Sequence, residues 1–204
     1  MHIYETSAIL LAAGFSHRMG KDKLQLTYRG KPLLQLAVDL LSALPVHEKI
    51  LITVPSRSGC LSIPPEIRVA INAHPEEGQN GSLALGVRAA TGASYLFLNA
   101  DQPKLALDDI LPLLEAASVY KNKIVYPLIY GAPCSPTLFP ARFREDLHKL
   151  SGDSGGRPIR EAHPQDCIAV AAQNPENFFD IDNDDDYMLL LGAGKKHRLA
   201  PTST

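Results

Sequence analysis

The stretch Ile9-Leu10-Leu11-Ala12-Ala13-Gly14-Phe15-Ser16-His17-Arg18-Met19-Gly20-Lys21-Asp22-Lys23 decides how this chain is read. The apolar run from Ala8 to Leu11 has the character of a buried strand. It stops at a turn of small residues. Gly14 accepts backbone angles that other residues resist, and it lets the main chain approach a ligand closely. Arg18, Lys21 and Lys23 then set positive charge beside exposed backbone N–H groups, a combination suited to a polyphosphate. Taken alone, the same residues also describe a solvated basic loop, and both readings stay open at this point.

Two familiar phosphate loops are excluded. A Walker A loop needs Gly, four residues, then Gly-Lys-Ser/Thr. Here five residues separate Gly14 from Gly20, and Asp22 follows Lys21 where the magnesium-binding hydroxyl belongs. The G-x-G-x-x-G dinucleotide fingerprint is also missing.

Working outward, strand-like runs alternate with helix-like stretches, which predicts an α/β fold with a mainly parallel sheet. Strands are expected at Ala8–Ala12, Lys49–Val54, Arg68–Asn72, Tyr95–Asn99, Lys123–Pro127, Ser135–Phe139 and Cys167–Ala171. Helices are expected from Pro32 to about Leu44, then over Ser82–Ala90, Leu107–Tyr120, Pro140–Leu150, Gly155–Ala162 and Asn183–Leu191. Phe178–Ile181 reads as a short extended piece. In open α/β sheets ligands bind beyond the carboxyl ends of the strands. The basic loop follows the first strand, Asp101 follows the strand ending at Asn99, and Asp180 and Asp182 come from a late extended segment.

Composition narrows the function classes. A chain of 204 residues with 45% apolar and 21% charged content suits one globular domain with a substantial core. A net charge of −2 gives no global pull toward nucleic acid. Cys60, Cys134 and Cys167 are scattered and odd in number, against a disulfide framework or a zinc knuckle. His163 and Cys167 have helical ligand spacing, but two candidate ligands do not make a metal site. No basic leader precedes an apolar segment, and no apolar run nears the roughly 20 residues needed to span a bilayer. A reduced cytoplasmic setting is expected, with neither nucleic acid nor membrane as partner.

Three further segments carry chemistry. Pro103 bends the chain away after Asp101-Gln102, leaving Asp101 at a strand tip, where it either holds Mg²⁺ or caps the next helix. Asp180-Ile181-Asp182-Asn183-Asp184-Asp185-Asp186 fails as an EF-hand, because Asp185 stands at the glycine position and Leu191 at the bidentate glutamate. It reads better as a helix start, with Asn183 or Asp182 as cap and acidic residues favoured by the dipole. Gly78-Gln79-Asn80-Gly81-Ser82 is a polar loop opening a helix, with an N-cap at Gly81 or Ser82. Gly152-Asp153-Ser154-Gly155-Gly156 copies a serine-protease nucleophile segment, but no histidine and acid stand in a matching context.

Leu-Ala-Ala-Gly-x-Ser-x-Arg-Met-Gly-x-x-Lys, with Gly30-Lys31-Pro32-Leu33-Leu34 behind it, resembles the signature of the MobA-like NTP transferase family. Within it the likeness is greatest to molybdenum cofactor cytidylyltransferases, and it spans roughly Ala8 to Leu191. The resemblance implies a three-layer Rossmann-like nucleotidyltransferase fold over residues 1–191, with 192–204 a flexible tail. It implies an NTP and Mg²⁺ as cofactors and a phosphorylated acceptor such as molybdopterin, whose product passes to a molybdenum enzyme or its chaperone. Leu11, Ala12, Ala13, Gly14, Gly78 and Ser82 would then line the nucleotide site. Arg18 and Lys23 would neutralise the triphosphate, while Asp101 and Asp182 would hold the metal and Asp180 would be supporting or solvated. Members using GTP often have Leu-Ala-Gly-Gly where this chain has Leu-Ala-Ala-Gly, so Ala13 tilts the base toward CTP. The chain departs from the cytidylyltransferase pattern at Ala132-Pro133-Cys134-Ser135-Pro136, which lacks the Gly-His-Pro histidine, and at Asn99-Ala100. Those departures leave a sugar or polyol phosphate open as acceptor, and GTP is kept separately as the alternative donor. A non-catalytic accessory factor for molybdenum enzyme maturation is the other reading kept.

Overall fold

A computed structural model describes residues 2–14, 20–59 and 61–192. Arg18, Cys60 and nearly all of the expected tail lie outside the described residues. Ten strands and seven α-helices are described: β1 (Tyr4–Ala12), β2 (Thr27–Tyr28), β3 (Lys31–Pro32), α1 (Leu33–Ala43), β4 (Val46–Thr53), α2 (Pro55–Ser58), β5 (Ile67–Ile71), α3 (Gln79–Ala89), β6 (Ser94–Asn99), α4 (Leu107–Val119), β7 (Ile124–Ile129), β8 (Ala132–Pro133), β9 (Thr137–Pro140), α5 (Arg144–Lys149), α6 (Arg157–Ala162), β10 (Cys167–Ala171) and α7 (Asp184–Leu190). The central sheet runs β10-β7-β9-β6-β1-β4-β5, with β8 paired to β7.

Alternation along β1 builds the three layers. Successive side chains of a strand face opposite sides. Ala8, Leu10 and Ala12 join Leu34, Val38 and Leu41 of α1 and Ile110 and Leu114 of α4 on one face. Ile9, Leu11 and Ala13 join Leu83 and Val87 of α3, Phe143, and Leu147 of α5 on the other. Both faces of β1 are covered, so its sequence is a nearly continuous apolar run. Helix α3 lies so close to the sheet that a Cβ on Gly86 would stand 2.5 Å from Cγ2 of Ile9.

The sheet is mainly parallel, as expected, with β9 reversed between β6 and β7. Only residues 130–136 separate β7 from β9. A parallel return needs a crossover of a dozen or more residues, so this connection permits only an antiparallel one. It turns at Tyr130 and Gly131, both at positive φ, which suits a tight hairpin.

Several predicted boundaries are corrected. The strand expected from Ser135 begins at Thr137, after a cis Ser135–Pro136 bond. The helix expected from Pro140 is a 3-10 turn, Ala141–Phe143, followed by α5, because Phe143 leaves helical geometry at ψ 10°. Helix α6 starts at Arg157, two residues late, since Gly155 has φ +57°. Helix α3 starts at Gln79, which puts Gly81 and Ser82 inside it and moves the N-terminal boundary to Gly78, at φ 90°. Phe178–Ile181 pairs with no strand. It is an irregular segment pinned where Ile181 N–H donates to Asp101 O at 3.0 Å.

Register aligns the strand tips that matter. Ala12 stands opposite Thr53, and Leu11 opposite Asn99. The chain after β1, after β4 and after β6 therefore leaves the sheet along one edge.

Candidate active site

A cavity of about 540 Å³ opens at that edge, within the range usual for small-molecule sites. Its walls include Leu11, Ala12, Ala13 and Gly14 at the end of β1, Gly78 at the cap of α3 and Ser82 within it, and Asp101, Asp180 and Asp182. The predicted nucleotide and metal residues that are described thus meet in one place, together with Lys23.

Lys23 is the electrostatic centre. Asp22 caps the 3-10 turn Lys23–Gln25 by accepting from Leu24 N–H, which aims Lys23 across the cleft. Its Nζ donates to Asp101 Oδ2 at 2.7 Å, to Ile181 O at 2.8 Å and to Asp182 Oδ1 at 3.3 Å. Burial works against the charge on Lys23, but Asp101 and Asp182 outweigh it and hold its pKa above the ordinary lysine value. Lys21 points elsewhere, pairing with Asp184 at 2.9 Å on the exposed surface.

The carboxylates of Asp101 and Asp182 converge on the Lys23 ammonium. Asp101 does not cap the next helix. Its Oδ1 is buried without a hydrogen-bond partner among the described residues, and so is Oδ1 of Asp180. Burial, then the neighbouring charges of Asp101 and Asp182, push the Asp180 carboxyl up to about 7 despite the pull of Lys23 and Gln102. Asp182 is half exposed at the mouth. These residues fit a divalent cation: two carboxylates already converge on one positive charge, and a buried carboxylate oxygen is unsatisfied. Among the described residues no three His, Cys, Asp or Glu side chains form a closed cage. Magnesium does not require one, because it takes one or two carboxylates and completes its shell with water and substrate phosphate. Asp184 to Asp186 have the helical role expected of them, with Asn183 as cap accepting from Asp186 N–H.

The opposite wall is built by backbone. At Gly78 a Cβ would stand 2.6 Å from Asp153 Oδ1 and 2.8 Å from Gly152 O. Gln79 N–H donates to Asp153 Oδ1 at 2.7 Å, and Asn80 N–H to Gly152 O at 3.0 Å. Ser82 Oγ accepts from Asn72 Nδ2 at 3.0 Å. Ser154 Oγ accepts from the Asn80 side chain at 3.2 Å, with no histidine bonded to it among the described residues, so the protease-like segment is part of this wall.

Sequence reasoning did not single out Arg57. It is 5% exposed and binds the main chain of the opening segment. Its signal was available: Arg57 follows β4 at the carboxyl edge where ligands gather. Gln79 and Asn99, joined at 3.2 Å in the cavity wall, were also missed as a pair.

A mainly parallel sheet whose strand tips gather a glycine turn, a half-buried lysine and converging carboxylates round one cavity belongs to the α/β nucleotidyltransferases. Residues 8–167 match the MobA-like NTP transferase domain, and the chain is a member of that family. A probable molybdenum cofactor guanylyltransferase of Trichormus variabilis is 29% identical over 202 residues, covering 91% of this chain and 90% of that protein. Purine catabolism protein PucB of Bacillus subtilis is 29% identical over 209 residues, covering 91% and 95%. The crystal structure of Rv0371c from Mycobacterium tuberculosis H37Rv superposes with a TM-score of 0.80 at 22% identity, covering 94% of this chain and all of that one. A manganese complex of Rv0371c superposes at 0.72 with 18% identity, covering 92% and 98%.

Proposed function

We propose that this nucleotidyltransferase uses CTP and Mg²⁺ to cytidylylate the phosphate of molybdopterin. The observation that carries the reading is Lys23, held between Asp101 and Asp182 at the floor of a cavity edged by Ala12, Ala13 and Gly14. An oxygen of the acceptor phosphate attacks the α-phosphorus of the nucleotide. The new P–O bond forms as the bond to the β-phosphate bridge breaks, and pyrophosphate leaves with the electron pair. Such a transfer asks the protein for position and charge neutralisation more than for a nucleophile of its own. Lys23 and Arg18 supply positive charge toward the triphosphate. Asp101 and Asp182 would hold the cation, with Asp180 behind them, and the cation would neutralise charge developing on the phosphate oxygens. Gly78 and Ser82 face the base, and Leu11 to Gly14 bring the main chain against the nucleoside.

Cytosine is favoured by Ala13, whose buried methyl group occupies the turn where guanine-using members often have glycine. Molybdopterin is favoured by the Trichormus relative, named for the molybdenum cofactor, and a molybdenum enzyme or its chaperone would receive the product. That relative is named a guanylyltransferase, which supports GTP as the second reading. The departures around Cys134 keep a sugar or polyol phosphate as the second acceptor. A thermal-shift panel of NTPs with Mg²⁺, followed by pyrophosphate release over molybdopterin and sugar phosphates, tests both choices. Ligand at a hundred times its Kd adds about 2.7 kcal/mol of stability. The expected result is the largest shift with CTP and turnover with molybdopterin. A larger shift with GTP overturns the base, and turnover only with sugar phosphates overturns the acceptor. Nucleotide binding with no turnover on any acceptor supports the accessory-factor reading instead.

A further inference from the structure

We infer that Arg57 is a positioning residue for the nucleotide site, acting through the main chain of the opening segment and through Asp22. The inference rests on the nucleotidyltransferase reading. Arg57 does not line the cavity. Its guanidinium is buried behind the turn and meets both ends of the segment. Nη1 donates to Ala12 O at 2.6 Å, and Nη2 donates to Gly14 O at 3.0 Å. Nε and Nη2 grip the two oxygens of Asp22 at 2.6 and 2.9 Å. A planar guanidinium offers a rigid fork of five donors, so one side chain can hold two carbonyls and a carboxylate in fixed relation.

Two consequences reach the cavity. A trans peptide sets its C=O and N–H in opposite directions. With Ala12 O drawn toward Arg57, the N–H of Ala13 is turned away from it. Asp22, the second consequence, is also the cap that accepts from Leu24 N–H and so orients the turn carrying Lys23. The chain of contact runs from Arg57 to Asp22 to the Lys23–Gln25 turn, and from there to the ammonium between Asp101 and Asp182. Arg57 sits in α2, directly after β4, whose end is in register with the end of β1. The segment after the neighbouring strand thereby holds Ala12, Gly14 and Asp22 in fixed relation.

A purely structural ion pair would stabilise the fold without altering catalysis, so the test must separate the two. Arg57→Lys keeps the charge but cannot hold Ala12 O, Gly14 O and Asp22 together. Arg57→Ala removes the fork and is assayed with and without millimolar guanidinium ion. Melting temperature, KM for the nucleoside triphosphate and kcat are measured for both variants, for Asp22→Asn and for the double variant with Arg57→Lys. The inference expects Arg57→Lys to melt as a folded protein with KM raised at least tenfold. It expects Asp22→Asn to add little to that loss, and guanidinium to restore part of the affinity of Arg57→Ala. A folded Arg57→Lys with wild-type KM and kcat overturns it, as does full additivity with Asp22→Asn. A wild-type chain that neither binds nor turns over any nucleoside triphosphate overturns the functional reading, and this inference with it.

Discussion

Lys23 meets opposing demands, and its neighbours decide the outcome. An ammonium taken out of water loses solvation, and only close opposite charges restore the balance. Asp101 and Asp182 do so here, which leaves Lys23 charged and fixed rather than free to swing with solvent. Removing it exposes two converging carboxylates to each other and, on the proposed function, deletes positive charge that would face the triphosphate. Lys23→Met should therefore lower kcat by about 10²–10³, the scale for losing one preorganised charge-stabilising donor. Steady-state kinetics at saturating nucleotide checks this, and an unchanged kcat would remove Lys23 from the reaction. The residue scale was also where sequence reading reached furthest. Gly14 stood out by local chemistry, whereas Asp101, Asp182, Gly78 and Ser82 were assigned through the family resemblance, and all line the cavity. Arg57 was not, because a buried arginine is recognised by what surrounds it, and its partners lie 35 to 45 positions away in sequence.

At the scale of elements, close approach explains where glycine is needed. A methyl group on Gly86 would meet the fully buried Ile9, which has no room to yield. Overpacking of this kind costs about 1–3 kcal/mol, partly offset by the better helix propensity of alanine. Gly86→Ala should lower the melting temperature by several degrees while leaving KM for nucleotide near wild type. Gly78→Ala acts differently. It strains a positive φ and drives a Cβ into the loop at Gly152 and Asp153, in the wall of the site. Its expected signature is a raised KM for nucleotide, read by kinetics beside a lowered melting temperature, whereas Gly86→Ala lowers the melt alone. Element types were largely legible in the sequence, since β1 and β6 carry long apolar runs and α4 a clear face. The reversal of β9 was not. Pairing partners are set by connection length and by the whole sheet, and a short apolar run reads the same in either direction. The start of α3 was misplaced for a related reason: the bonds that hold Gln79 and Asn80 come from the distant loop at Gly152 and Asp153.

At the scale of the whole molecule, one carboxylate at the opposite edge from the site links side chains of three neighbouring strands. Glu48 of β4 accepts from Ser7 Oγ of β1 at 2.6 Å and from Thr91 N–H at 2.9 Å, and it pairs with Arg68 of β5. Burial raises its pKa, but these hydrogen bonds and the nearby positive charge outweigh it, so the folded-state value lies below the ordinary glutamate value. A lowered folded pKa contributes stability above the unfolded pKa and loses it as pH falls through the folded one. Glu48→Gln should therefore be destabilised at pH 7 by about 1.5–3 kcal/mol, the scale for hydrogen bonds to a charged group. The gap to wild type should close as pH drops below about 4.3. Denaturant titrations across pH check this, and a gap that widens toward acid would contradict it. Among the described residues no helix is long and apolar enough to cross a membrane.

The central claim is that Asp101 and Asp182, with Lys23 between them, form the centre where a nucleoside triphosphate loses pyrophosphate to a phosphorylated acceptor. Pyrophosphate release, measured with wild type and with Asp101→Asn in the presence of Mg²⁺ and acceptor, tests it most directly. Release should match nucleotidylated acceptor one for one, require the divalent cation, and fall at least a thousandfold in the folded Asp101→Asn variant. Release that persists undiminished in Asp101→Asn, or in wild type with the cation chelated, would contradict it.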